Sequence, residues 1–424
     1  MSNVTQIIEL LNASHSPFHV VKNLETLFAD YAIADAQNRF VPGAKLRRQA
    51  NGSSFVAAKL PLRQPKAIKI VATHNDSPTF KLKPNPVFVK KDIISLNVEP
   101  YGGMIMHTWF DRPLSVAGRI VYEENGAMKQ ALVDIDQNLL VIPSLCIHMD
   151  RTINKGHEYN PAKELIPVLT QGKFDGPAFE KMVLQAAGAQ NGKLLAHDLF
   201  LYVRQEAICV GLEKEFLMSP RLDDLSSAYS AALAFAQAKP NQDMIQVFVS
   251  FDNEEVGSLT KQGAASTFLE TFIGEICAAY GLDETQKKEL IASSFLFSVD
   301  NAHANHPNYP EISDPTTNVR LNGGIVVKYN ANAKYTSDAL SASYAKMIGL
   351  KAGVGVQEYS NRSDLPGGST LGNLSNAQVS LSAADIGIAQ WAMHSCVETQ
   401  GVADLDAMVN FLKGYWENDL LPLR

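Results

Sequence analysis

Three short segments place histidine and carboxylates where they could do chemistry together: Thr73-His74-Asn75-Asp76-Ser77-Pro78, Asp252-Asn253-Glu254-Glu255 and Asp300-Asn301-Ala302-His303. Imidazole nitrogens and carboxylate oxygens are donors that zinc accepts, and a set without clustered thiolates favours an open, catalytic site over a closed structural one. In an extended chain, residues two apart point the same way, so Asp76 could accept the second ring proton of His74 and fix its tautomer. Adjacent Glu254 and Glu255 could divide two tasks, one ligating metal while the other serves as general base for a bound water. The expected product is a carboxylate-bridged pair of metals. Taken singly, each acid reads as well as a helix N-cap or a solvated turn. Their shared position is what argues for a site.

That position is set by the elements in front of them. Residues 67–72, 244–251 and 295–299 are apolar runs of the kind that form buried strands, and each runs into one of the reactive segments. In open α/β sheets reactive groups collect just beyond the carboxyl ends of strands. Further strands are expected at 325–329 and 378–382, and helical periodicity covers 4–12, 20–31, 226–238, 267–280 and 337–348. The alternation predicts an α/β fold with helices on both faces of a sheet. From about residue 87 to 210 the pattern changes to short alternating strands with turn signals, such as Glu124-Asn125-Gly126. The expected organisation is a discontinuous α/β domain, residues 1–86 and 211–424, with an inserted β-rich domain at 87–210.

Composition narrows the function. A chain of 424 residues with 46% hydrophobic and 19% charged residues can bury a large core, and two structural units are expected at this length. A net charge of −7 without a basic face argues against nucleic-acid binding, and acidic clefts suit cations better. The start Met1-Ser2-Asn3-Val4-Thr5 lacks a secretory pattern, and no apolar run approaches the ~20 residues that span a bilayer, so a cytoplasmic protein with no membrane partner is expected. Cys146, Cys209, Cys277 and Cys396 lie far apart and are expected to be buried free thiols in a reducing compartment.

The reactive segments, with Ser219-Pro220-Arg221-Leu222-Asp223-Asp224-Leu225, Phe251 to Ser258, Asp300 to Tyr309 and Met393-His394-Ser395, resemble the motifs of the aspartyl aminopeptidase family of dinuclear zinc metallopeptidases. They stand in the family's order from about residue 73 to 395. The resemblance implies a mixed-sheet metallopeptidase domain with an inserted β-rich oligomerisation domain. It also implies two divalent ions per subunit, zinc by preference, with Co²⁺ or Mn²⁺ as alternatives. His74 and Asp300 would hold one ion, Glu255 and His394 the other, and Asp223 would bridge them. Glu254 would be the base, and Asp76 would orient His74. Dimers assembling into a tetrahedral dodecamer are the implied state.

Further roles follow from matching positions. Lys328, on the expected strand 325–329, stands where relatives that prefer acidic N-terminal residues place a lysine; the alternative is a lysine snorkelling at a strand end. His148 matches a position that reaches a neighbouring subunit's site, although nothing in its own surroundings requires that. His303 and His306, beside Asp300, read equally as substrate contacts or supports of a ligand and as structural residues, whereas His107 reads as architecture. The loop Pro366-Gly367-Gly368-Ser369-Thr370-Leu371-Gly372 lacks a phosphate-binding ending and reads as a wall that a substrate approaches closely. Two other functions compete: a dimetal amidase or deacylase of different preference, and a non-catalytic oligomeric shell protein. The second would have lost a ligand or the base, and this sequence keeps all six positions.

Overall fold

Successive residues of a strand face opposite sides of its sheet, so a strand that is buried at every position needs a cover on both. Ala67–His74 and Met244–Phe251 are such strands. A computed structural model of the chain describes residues 1–35, 40–365, 367–368 and 370–423. Among the described residues these two strands belong to a mixed sheet of thirteen. At its centre Met244–Phe251, Ala67–His74, Phe295–Val299 and Ser382–Trp391 lie side by side, all parallel. Their carboxyl ends share one edge, with His74 paired to Phe251.

The two faces are covered as the period of two requires. Val71 and Phe248 pack into one core with Leu11, Phe235, Tyr344 and Trp416, which come from the helices Asn3–Asn12, Leu222–Gln237, Ala339–Ala352 and Val402–Glu417. Ile70 and Val247 face the other core, with Phe272 of Phe268–Ala279 and Leu290 of Glu284–Ala292. This is the α/β architecture predicted by the alternating apolar runs. The last helix is also tied to the sheet: Lys69, buried on a central strand, donates to the carbonyls of Tyr415 and Asn418 at 2.9 and 2.5 Å, satisfying acceptors that a helix end leaves open. No helix among the described residues is long and apolar enough to cross a membrane.

A second sheet has six antiparallel strands, ordered Ala127–Asp134, Leu114–Glu124, Lys193–Val203, Thr79–Lys90, Ile93–Tyr101 and Val168–Gln171. Its apolar face packs on Phe179 and Val183 of the helix Gly176–Ala186. Asn125 and Gly126, both at positive φ, close the hairpin between its first two strands, as the turn signal predicts. The chain leaves the large sheet after His74 and pairs with it again at Ile208–Val210.

Three expectations need correction. Residues 378–382 are not a strand: the helix Leu371–Val379 ends there, and the strand is Ser382–Trp391. That strand is rich in alanine and glycine and carries a buried Asp385, so it lacks the apolar run that marks the others. Glu284–Ala292 and Val402–Glu417 are helices that the periodicity reading passed over. The four cysteines are unpaired, but only Cys277 and Cys396 are buried: Cys209 is half-buried, and Cys146 is exposed because it lies in the exposed stretch 143–149.

Close packing of the strand Ser382–Trp391 against the segment after Phe295–Val299 depends on Gly387. A Cβ added there would lie 2.0 Å from the backbone oxygen of Asp300 and 2.9 Å from its carbonyl carbon. Backbone cannot yield as a side chain does, so Gly387→Ala should lower stability by about 1–3 kcal/mol. The check is a denaturant midpoint, which should fall against the parent protein, whereas an unchanged midpoint would refute the contact.

Candidate metal centre

The carboxyl ends of the four central parallel strands deliver His74, Glu254 with Glu255, Asp300 and His394 to one edge of the large sheet. His74 is the last residue of its strand rather than the first beyond it. Asp223 arrives differently, on non-helical backbone at a kink near the start of the helix Leu222–Gln237. These side chains meet in a cavity of about 180 Å³. Three groups have donor atoms within 4.8 Å of one another: His74, Asp223 and Asp300; Asp223, Glu255 and His394; and His74, Glu254 and Glu255.

Asp223 stands between the histidines. Its Oδ1 lies 3.4 Å from Nε2 of His74, and its Oδ2 lies 3.4 Å from Nε2 of His394, which is also 3.4 Å from Glu255 Oε2. Each ring is set by its other nitrogen. Nδ1 of His74 is 3.1 Å from the backbone carbonyl of Asp76, and Nδ1 of His394 is 2.6 Å from the carbonyl of Gly103. Carbonyls only accept, so both rings carry a proton on Nδ1, and Nε2 is the nitrogen turned inward, where a cation could take its lone pair.

Burial and crowding shift the titration of the cluster. Burial, with Asp300, Asp76 and Asp223 nearby, raises the Glu254 carboxyl to about 8. Burial and the Asp223 charge hold Glu255 well above the usual carboxylate range. Burial opposes protonation of His394, yet Asp223 and Glu255 raise it to about 10; burial of His74 is likewise outweighed by Asp223 and Asp76. Asp223 is the exception: burial would raise it, but the two histidines hold it low. The residues fit divalent cations on two grounds. Buried Asp223 Oδ1 and Glu255 Oε1 have no hydrogen-bond partner, a costly arrangement unless a cation takes the lone pairs. The donors are also the nitrogen and oxygen atoms that such ions accept.

Asp76 does more than sit beside His74. Its carboxylate is 3.4 Å from Nδ1 of that ring, while Oδ1 accepts the N–H of Glu254 and Oδ2 the N–H of Glu255, each at 3.1 Å, and Oδ2 also accepts the Tyr101 hydroxyl at 2.8 Å. Sequence reasoning missed Glu398, the opposite anchor. Buried, and raised to about 8 by burial and the Asp223 charge, it accepts the N–H of Asp223 at 3.0 Å and that of His394 at 2.8 Å. Asp224, whose Oδ2 accepts the N–H of His74, and Tyr101 were also unforeseen. Glu398 and Asp224 left a signal, as acids four residues beyond one candidate ligand and next to another.

Lys328 is buried in the cavity wall, its Nζ donating to the backbone oxygens of Asp300 at 2.8 Å and Asn301 at 3.2 Å and lying 3.7 Å from Asp300 Oδ1. Burial disfavours its charge, but Asp300, Tyr335 and Asp385 outweigh burial and hold it above the ordinary lysine range. His303 lines the same cavity, edge-on to Tyr359. Gly368 and Thr370 of the glycine-rich loop also line it, whereas Pro366 and Ser369 fall outside the described residues. His148 is exposed on the stretch 143–149 and is not among the residues around this cavity. His306 lines a neighbouring cavity instead.

Comparison with known proteins bears on this arrangement. A family model described as aminopeptidase I zinc metalloprotease (M18) matches residues 10–416. The probable M18 family aminopeptidase 2 of Clostridium acetobutylicum is 37% identical over 418 residues, covering 94% of this chain and 95% of its own. Its namesake in Pseudomonas putida (strain GB-1) is 34% identical, with 99% of both covered. Among solved structures, the cryo-EM structure of the Ape4 and Nbr1 complex aligns with a TM-score of 0.93 at 32% identity, covering 98% of this chain and 85% of that one. The S. cerevisiae mApe1 dodecamer aligns at 0.86 and 24% identity, covering 97% and 96%, a likeness of fold. With the family model spanning nearly the whole sequence and relatives above 30% identity along its length, the chain belongs to the M18 family of zinc aminopeptidases.

Proposed function

We propose that this aminopeptidase releases acidic N-terminal residues from peptides with two divalent ions, zinc by family. His74 and Asp300 would hold one ion, Glu255 and His394 the other, and Asp223 both. The observation that carries the two-ion reading is Asp223, with one carboxylate oxygen toward each inward-turned imidazole nitrogen. Ions held there would polarise the peptide carbonyl and lower the pKa of the attacking water. Glu254 takes the proton from that water and passes it to the leaving amine. Asp76, through the backbone N–H groups of Glu254 and Glu255, keeps base and ligand on their separate sides.

Lys328 supports the acidic preference. An ammonium has three protons to donate, and two of them meet the carbonyls of Asp300 and Asn301, which leaves one for a substrate carboxylate entering the cavity. Its depth in the wall makes that pairing desolvated, hence selective. His303 would contact the same substrate residue. The β-rich segment 87–210 is proposed to carry subunit contacts, with dimers building a tetrahedral dodecamer and His148 reaching a neighbouring site. Support comes from the exposed Leu145, Ile147 and Met149 that flank His148, apolar surface that a partner would cover, and from the dodecamer formed by mApe1. The four unpaired cysteines favour the cytoplasm as its compartment.

Glu254→Gln should lower kcat by about 10²–10⁴-fold while the metal content of the purified protein is unchanged, as elemental analysis and steady-state kinetics would read together. Retained activity would remove Glu254 as the base. Lys328→Ala should lower kcat/KM for aspartyl and glutamyl peptides by roughly 100-fold, a loss that neutral N-terminal residues do not share. An equal loss on both classes, or none, would end the pocket assignment.

A further inference from the structure

The metal cavity, at about 180 Å³, is smaller than the roughly 300–1,000 Å³ of sites that enclose a small molecule. It has room for the residue being removed, and the rest of a peptide must leave it somewhere. Two neighbouring cavities share residues with it. One, behind Asp76 and Asp223 and between the sheets, holds about 40 Å³, space for water but not for a side chain. The other holds about 460 Å³ and shares His303 and Tyr359 with the metal cavity.

The lining of this second cavity mixes aromatic and apolar side chains with polar ones, and of the latter Asn361 keeps a buried Oδ1 without a hydrogen-bond partner. His306, Tyr309, Ile312 and Trp391 line it with the two shared residues. Trp391 Nε1 donates to the carbonyl of Asn305, and His306 Nδ1 accepts the N–H of Asn308. Of the charged residues there, Arg362 pairs with Asp364 and the Glu311 carbonyl, and Oδ1 of Asp314 accepts from Thr316 and Thr317. Tyr309 and Ile312 are 55% and 50% exposed, apolar surface left open beside a reactive site. The aromatic and apolar part of this lining gains from burying a large apolar side chain.

We propose that this cavity binds the second residue of the peptide, just beyond the bond that is cut, and favours an aromatic or bulky aliphatic side chain there. The segment His306-Pro307-Asn308-Tyr309, which the metal centre leaves without a task, is then part of the wall for the leaving portion. The inference rests on the aminopeptidase reading of the adjoining metal cavity, but not on its preference for acidic first residues.

The test uses tripeptides that differ only at the second position, phenylalanine, leucine or glycine, with the first residue fixed as the one the enzyme releases fastest. Glycine has no side chain to bury and sets the reference. The wild-type protein should show kcat/KM at least about tenfold higher for phenylalanine than for glycine. The double variant Tyr309→Ala, Ile312→Ser, both exposed positions, should cut that ratio at least fivefold, with light scattering recording the assembly. A wild-type ratio near one overturns the proposal. So does a ratio that survives the double substitution; if the assembly changes at the same time, the surface is a contact between subunits instead. Failure of the acidic preference at the first position leaves this ratio readable, so the two failures are distinct.

Discussion

Buried negative charge held in one place is the constraint on which the rest of this structure depends. Asp76, Asp223, Glu254, Glu255, Asp300 and Glu398 share a small volume with His74, His394 and Lys328. Burial first, and then the repulsion of like charges a few ångströms apart, raises the carboxyl pKa values of Glu254, Glu255 and Glu398. Such a cluster persists only where the surrounding scaffold is stable enough to bear it. The parallel strands Ala67–His74, Met244–Phe251, Phe295–Val299 and Ser382–Trp391, covered on both faces, are that scaffold.

Neither sheet completes the site alone. The large sheet supplies the candidate ligand positions, but the His394 ring is fixed by the Gly103 carbonyl and Asp76 is held by the Tyr101 hydroxyl, both from the end of a strand of the six-stranded sheet or just beyond it. Backbone contacts reinforce this, since Ile105 donates to the His394 carbonyl. A shift between the sheets would therefore turn the His394 ring and loosen the carboxylate that sets Glu254 and Glu255. Chemistry and domain packing are one problem here, and the selectivity proposed for Lys328 inherits that rigidity because its ammonium is anchored to the backbone after Phe295–Val299.

Much of this was legible in the residues because buried strands announce themselves. An apolar run followed at once by His, Asp or Glu marks both the strand and the edge where its chemistry sits, which is why His74, Glu254, Glu255 and Asp300 stand out without any relative to guide the eye. Asp223 and His394 do not stand out. One opens a helix, where acids are common, and the other lies in a turn at φ 67° after a strand whose small residues hide it. Resemblance alone pointed to them. Glu398, Tyr101 and Asp224 act through backbone amides or through another carboxylate, relations that exist only once distant segments meet. The helix Val402–Glu417 was passed over although its buried Met408, Phe411 and Trp416 pack into the core.

The claim beneath all of this is that one carboxylate serves two ions at once. Isothermal titration of the metal-stripped protein with zinc, wild type against Asp223→Asn, tests it directly, with diffraction at the zinc edge to locate the ions. Two ions per chain, flanking Asp223 in the wild type and both weakened by the single substitution, are the result expected. A single ion, or two whose binding survives the loss of the Asp223 charge, would contradict the account.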